Sequence, residues 1–212
     1  IGDIRGMWPL NADNTSSDLE DISVKANALT ATNITSADAV TGVRNKATDF
    51  DGSTEYLTAS ATVTPTGAKS IGFWIKTTQT SGGYIYTNNT GASANNGMMI
   101  YINLAANKIS AILSKGTAGT NNYRIDSNAT INDGRWHYIT HTWDGTTNSG
   151  GAKLYVDGIL DNTATALTTT DNTPTDNLRI GANSGATPGD YFNGTLDEMF
   201  VTATALSASQ IR

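Results

Sequence analysis

The sequence predicts an all-β protein, a two-sheet antiparallel sandwich. Three observations predict it. Short apolar runs alternate with polar residues at a period of two, as half-buried strands require. Glycine occurs 21 times and proline four, which suits many short strands joined by tight turns. Helix signals are nearly absent, with one candidate turn at "LSASQI", residues 206–211, capped by Ser207. At 212 residues, the chain reads as a single domain over 1–212 that can bury a sizeable core. It starts at Ile rather than Met, which points to a piece of a longer protein.

The strands follow in order. In "SIGFWIKTT" (70–78), Ile71, Phe73 and Ile75 share one face, and Gly72, Trp74 and Lys76 the other. "GMMIYINL" (97–104) places Met98, Ile100, Ile102 and Leu104 together, and "KISAIL" (108–113) returns as its partner. "YRID" (123–126) is a further short strand, and "DNLRIGAN" (176–183) offers Leu178 and Ile180. "KLYVDGILDN" (153–162) is the clearest hairpin, because Asp157-Gly158 can supply the positive φ angles of a type I′ turn. In "YFNGTLDEMFV" (191–201) the alternation breaks near Asp197 and Glu198, which predicts a bulge.

Charge and composition exclude several functions. The net charge is −6, with 13 basic residues that form no cluster, so the counterion release that drives nucleic-acid binding has no basis. Without cysteine there is no disulfide framework, zinc-thiolate site or cysteine nucleophile. No apolar run approaches the roughly 20 residues of a membrane-spanning helix, so no membrane insertion is expected.

Both histidines lie in "GRWHYITHTWDG" (134–145). On a strand, positions four apart are roughly 13 Å apart, so His137 and His141 cannot share a metal ion. The run reads as a half-exposed strand in which Trp136 and Trp143 are core or rim aromatics.

This stretch, with "AKLYVDGIL" after it, resembles the signature of LamG-like domains of the concanavalin A-like lectin/glucanase superfamily, in which G-x-W-H-x-V-x-x-x-x-D-G precedes L-Y-V-D-G. Other matches come in the family's order. They are "MWPLN" (7–11), "DISVKANALTATN" (21–33), "GVRNKATDFDGSTEYLTA" (42–59), "SIGFWIK" (70–76) and "YFNGTLDEMFVTATALSASQI" (191–211). Asn11, Val24, Ala26 and Thr202 depart from the family pattern. The resemblance implies a jelly-roll sandwich, concanavalin A-like, with first and last strands adjacent. It also implies a recognition or adhesion module in an exported, cell-surface or virion-surface protein, whose partners are glycans or other domains of the parent protein. Fold alone does not decide among these.

Three kinds of chemistry follow. The resemblance implies one structural calcium ion at the rim, with Asp21, Asn27 and Asp197 as ligands; calcium takes six to eight oxygens. The competing reading is that Asp21 caps a turn and Asp197 bonds backbone at the bulge. Catalysis by the fold's glucanases uses acids patterned like E-x-D-x-x-E on one strand, and that pattern is absent, so no catalytic residue is assigned. Sugar binding needs exposed aromatics beside hydrogen-bonding groups. The loop-flanking Tyr84, Tyr86, Asn121, Asn122, Tyr123, Asp190 and Tyr191 are the candidates. A structural or assembly role without sugar binding is the alternative, with Met98-Met99 and "MFV" (199–201) as candidate interface patches.

Overall fold

A computed structural model of the chain describes residues 3–11, 19–59, 63–80, 82–89, 96–103, 107–114, 122–165, 174 and 176–212. Fifteen strands are present among them: β1 (Ile4–Trp8), β2 (Leu29–Thr32), β3 (Ala39–Thr41), β4 (Lys46–Asp51), β5 (Tyr56–Ala59), β6 (Lys69–Lys76), β7 (Tyr84–Thr87), β8 (Gly97–Asn103), β9 (Lys108–Ser114), β10 (Asn122–Asp126), β11 (Trp136–Trp143), β12 (Ala152–Val156), β13 (Ile159–Thr163), β14 (Arg179–Ile180) and β15 (Asn193–Thr202). They form two sheets. The first runs β13-β12-β11-β6-β15-β4-β3 in space, with β1 also paired to β15; the second runs β10-β9-β8-β7-β14-β5-β2. Every pairing is antiparallel. This is the jelly-roll sandwich, with the first and last strands adjacent.

The inward faces follow the alternation. Ile71, Phe73 and Ile75 of β6 pack with Ile139 and Trp143 of β11 and Leu196 of β15 against Met98, Ile100 and Ile102 of β8 in one core. Met98, Met199 and Val201 belong to this core, so neither "MM" nor "MFV" forms an interface patch through them. Asp157 (φ 53°) and Gly158 (φ 76°) make the predicted two-residue hairpin turn, with Val156 opposite Ile159. The predicted bulge is present as a register shift between Asp197 and Phe200, with Glu198 at φ 48°.

The chain end crosses the outer face of the first sheet. Ser70 Oγ donates to Thr204 O (2.7 Å) and accepts from Leu206 N (2.9 Å). The single-turn helix α1 (Ala208–Ile211) then buries Ile211, and Ser207 N–H donates to Gln210 Oε1 (2.9 Å) at its start. Among the described residues no helix is long and apolar enough to cross a membrane.

His141 corrects one expectation. It is fully buried, not half-exposed, because it shares the inward parity of Ile139 and Trp143. Its Nδ1 lies 3.1 Å from Lys153 O, a group that only accepts, so Nδ1 carries the proton. Nε2 then accepts from the Tyr123 hydroxyl at 2.7 Å. Burial, reinforced by the Lys69 cation, pushes its pKa down to about 3. The linkage has a definite sign. Above pH 6.5 neither folded nor unfolded state is protonated at this site. Below it the unfolded chain takes up the proton and the folded one does not, so stability is lost as pH falls towards 3. A His141→Gln variant retains a donor and an acceptor but no titration. The stability of wild type relative to this variant is expected to fall by up to about 1.4 kcal/mol per pH unit over that window. Urea titrations at several pH values measure it, and a flat difference from pH 7 to 4 would contradict a neutral buried imidazole.

Candidate functional site: an aromatic groove on the outer face

Strand parity sends Trp74 of β6 and Tyr138 of β11 to the outer face of the first sheet. They are register partners, and their rings sit 5.1 Å apart, tilted by 34°. Both are half-buried. On one side of this ring pair lies a cavity of about 500 Å³ whose walls include Trp136, Asp157 and Arg212. On the other side lies one of about 330 Å³ whose walls include Met7, Arg44, Glu198 and Phe200. Trp74 and Tyr138 line both.

Local structure explains the shape. Phe200 packs against Gly72, where a Cβ would meet its ring at 2.2 Å, so glycine is what lets the ring approach the sheet. The rim of the larger cavity is braced. Asp157 Oδ1 accepts from Tyr138 N (2.8 Å), and Oδ2 meets His137 Nδ1 (2.9 Å), whose Nε2 lies 3.1 Å from Asp133 Oδ1. Against the cost of burial, hydrogen bonds to Asp157 and Asp133 raise the His137 pKa above its ordinary value. Chemically, the groove presents ring faces for apolar sugar faces, and carboxylates and guanidinium groups for hydroxyls.

The residues singled out for sugar binding divide. Tyr86 and Tyr123 are core residues, not surface ligands. A register shift between Tyr84 and Tyr86 puts these two on opposite faces, and the Tyr86 hydroxyl bonds Thr64 inside the core. Tyr123 alternates inward with Ile125 and bonds His141. Tyr84 and Asp190 are brought together: Tyr84 N donates to Asp190 O (3.0 Å), and the Asp190 carboxylate accepts from Asn183 Nδ2 (3.1 Å). Tyr84 also stacks on Tyr101 at 5.3 Å on the second sheet, so each ring spends one face on the other. Tyr191, half-buried, gives its carbonyl to Gln79 Nε2 (3.0 Å). Asn121 lies outside the described residues, and of Asn122 only the backbone, at the start of β10, is described.

The acids assigned to calcium serve backbone N–H groups instead. Asp21 Oδ1 accepts from Met7 N and Ser23 N (both 2.8 Å), and Oδ2 from Asn27 N (2.9 Å). Asn27 Nδ2 donates to Arg5 O (2.8 Å), and its backbone carbonyl accepts from Trp8 Nε1 (2.8 Å). Met7 turns both its N–H and its C=O to this loop, which therefore runs along the edge of β1 away from β15. Asp197, on β15, is across β1 from it, with Oδ2 accepting from Val43 N (2.7 Å) and Arg44 N (3.2 Å). The three residues do not converge as one donor set. Both Asp21 oxygens and Asp197 Oδ2 face N–H dipoles, a poor fit for a cation, whereas Asp197 Oδ1 has no hydrogen-bond partner. Among the described residues no three His, Cys, Asp or Glu side chains are grouped to hold a metal.

A family model, Laminin_G_3, described as the concanavalin A-like lectin/glucanases superfamily, matches residues 51–212. The chain belongs to this superfamily. No curated protein sequence matches it. Among solved structures, domain 4 of AbnA is similar. AbnA is a GH43 extracellular arabinanase from Geobacillus stearothermophilus, and the domain was solved in complex with arabinotriose. The TM-score is 0.67 at 18% identity, covering 99% of this chain and 97% of that one. The CBM40 of the Ruminococcus gnavus IT-sialidase, bound to α2,3 sialyllactose, aligns with a TM-score of 0.54 at 21% identity over 68% of this chain and 80% of that one. The binding domain of Paraclostridial Mosquitocidal Protein 1 aligns with a TM-score of 0.70 at 14% identity over 99% of this chain and 51% of that one. At such identities the likeness to these structures is one of fold.

The sequence alone places the candidate ligands beside loops and reads "WHYITHTW" as a half-exposed strand. The signal that pointed to the groove was the outward parity of Trp74 in β6. What it lacked was the partner, Tyr138, 64 positions on.

Proposed function

We propose that this protein is a non-catalytic recognition module that binds glycans in the Trp74–Tyr138 groove, as part of an exported or virion-surface protein. The observation that carries this reading is a concave track with aromatic walls and a rim of carboxylates and guanidinium groups. The structural neighbours solved with arabinotriose and sialyllactose support it as relatives in fold. The groove's carboxylates also favour binding over hydrolysis. Asp157 and Glu198 belong to different cavities, on either side of the ring pair, whereas a glycosidase sets two acids about one bond.

A second reading, docking to another domain of the parent protein, draws on Ile159 and Leu160, which are exposed on β13 at the end of the first sheet. A glycan-array screen of the protein, with calcium and again with EDTA, separates the cases. The expected result is saturable binding that persists in EDTA, since the assigned acids serve backbone donors. Binding lost in EDTA would return calcium to the site, and a blank array in both conditions would favour docking.

A further inference from the structure

We propose that the two cavities are adjoining subsites of one track that takes an extended run of a neutral polysaccharide chain, in contrast to a single terminal sugar. The proposal rests on the glycan-binding reading above and specifies its ligand.

The cavities share Trp74 and Tyr138 as lining residues, so they are neighbours on either side of one ring pair. The elements that supply the walls follow the sheet order: the β12–β13 turn with Asp157, then β11, β6, β15, and β1 with Met7. The track therefore crosses the strands. Four inter-strand steps of about 4.8 Å give a length of about 19 Å, room for several sugar rings in a row.

Each cavity carries one guanidinium and one carboxylate, Arg212 with Asp157 in the larger and Arg44 with Glu198 in the smaller. Such pairs offer donors and acceptors to neighbouring hydroxyls. They leave no surplus positive charge for the carboxylate of an acidic sugar, and the whole chain is at −6.

Asp197 already faces outward opposite Trp74, so regular alternation would send Glu198 into the core. The bulge holds Glu198 at φ 48°, a conformation disfavoured for a non-glycine residue, and places it on the wall of the smaller cavity. The smaller cavity thus owes its carboxylate to the bulge in β15.

The test is isothermal titration of the intact protein with arabino-, xylo-, cello- and manno-oligosaccharides of one to six units. Oligogalacturonates of the same lengths, and the series built on any sugar positive in the array, are included. Affinity should rise at least tenfold from one unit to four in at least one neutral series. In Glu198→Gln and, separately, Arg44→Ala, both checked for an unchanged melting profile, that tetramer-to-monomer affinity ratio should collapse to about threefold or less. A monosaccharide that binds as tightly as its hexamer, a preference for oligogalacturonates, or an unchanged ratio in both variants overturns the chain proposal while glycan binding stands. Absence of binding by every series and on the array removes the glycan reading itself.

Discussion

Trp74→Ala is expected to weaken glycan binding by about 2–4 kcal/mol, a loss of roughly thirty- to several-hundred-fold in affinity. The size follows from position. Trp74 walls both cavities and stacks beside Tyr138, so truncation opens the groove at its centre and leaves Tyr138 without its neighbour. The fold should survive, because the side chain stands on the outer face and the core of β6 is Ile71, Phe73 and Ile75. Titration calorimetry reads the loss, and a thermal melt within a few degrees of wild type attributes it to the site. Tyr84→Ala, on the other sheet, is the discriminating comparison. If Tyr84→Ala abolished binding and Trp74→Ala did not, the site would be the Tyr84–Tyr101 stack and not the groove.

Asp197→Ala is expected to cost about 2–4 kcal/mol of stability, whereas Asp197→Asn should stay within about 1 kcal/mol of wild type above pH 7. Asp197 is fully buried, and its Oδ2 accepts from Val43 N and Arg44 N while Oδ1 has no hydrogen-bond partner. Alanine strands both N–H donors in the turn between β3 and β4. Asparagine keeps the accepting oxygen and removes a carboxyl that burial has pushed up to about 6. Urea denaturation with and without EDTA measures both variants. If the asparagine variant were as unstable as the alanine one, and EDTA lowered wild type to match, Asp197 would be a cation ligand and the hydrogen-bond account would fail. Because Val43 and Arg44 line the smaller cavity, Asp197→Ala should also reduce the advantage of long oligosaccharides over short ones.

The architecture was legible because its determinants are local. Period-two alternation set the inward faces of β6 and β8, Asp157-Gly158 specified a turn that only positive φ allows, and the break at Asp197-Glu198 announced a bulge. Motif order along the chain carried the rest of the fold. The functional surface was not legible to the same degree. Tyr84 and Tyr86 look equivalent in sequence, since residues two apart share a face, yet the register shift in β7 separates a surface ring from a core ring. Asp21 and Asp197 look like partners in a cation site, yet β1 runs between the elements that carry them.

The sequence by itself determined that this chain is an antiparallel β-sandwich and which residues of its strands are apolar. Backbone alternation, turn conformation and the absence of helix periodicity are properties of neighbours in the chain, and they act before any long-range contact forms. Only the tertiary structure decided which outward residues meet. Trp74 touches Tyr138 because β6 pairs with β11 in one register, and a slip of a single residue would break that pairing and turn the ring to the other face. That register is held by the core on the opposite side of the sheet, so the groove is specified by residues that do not line it.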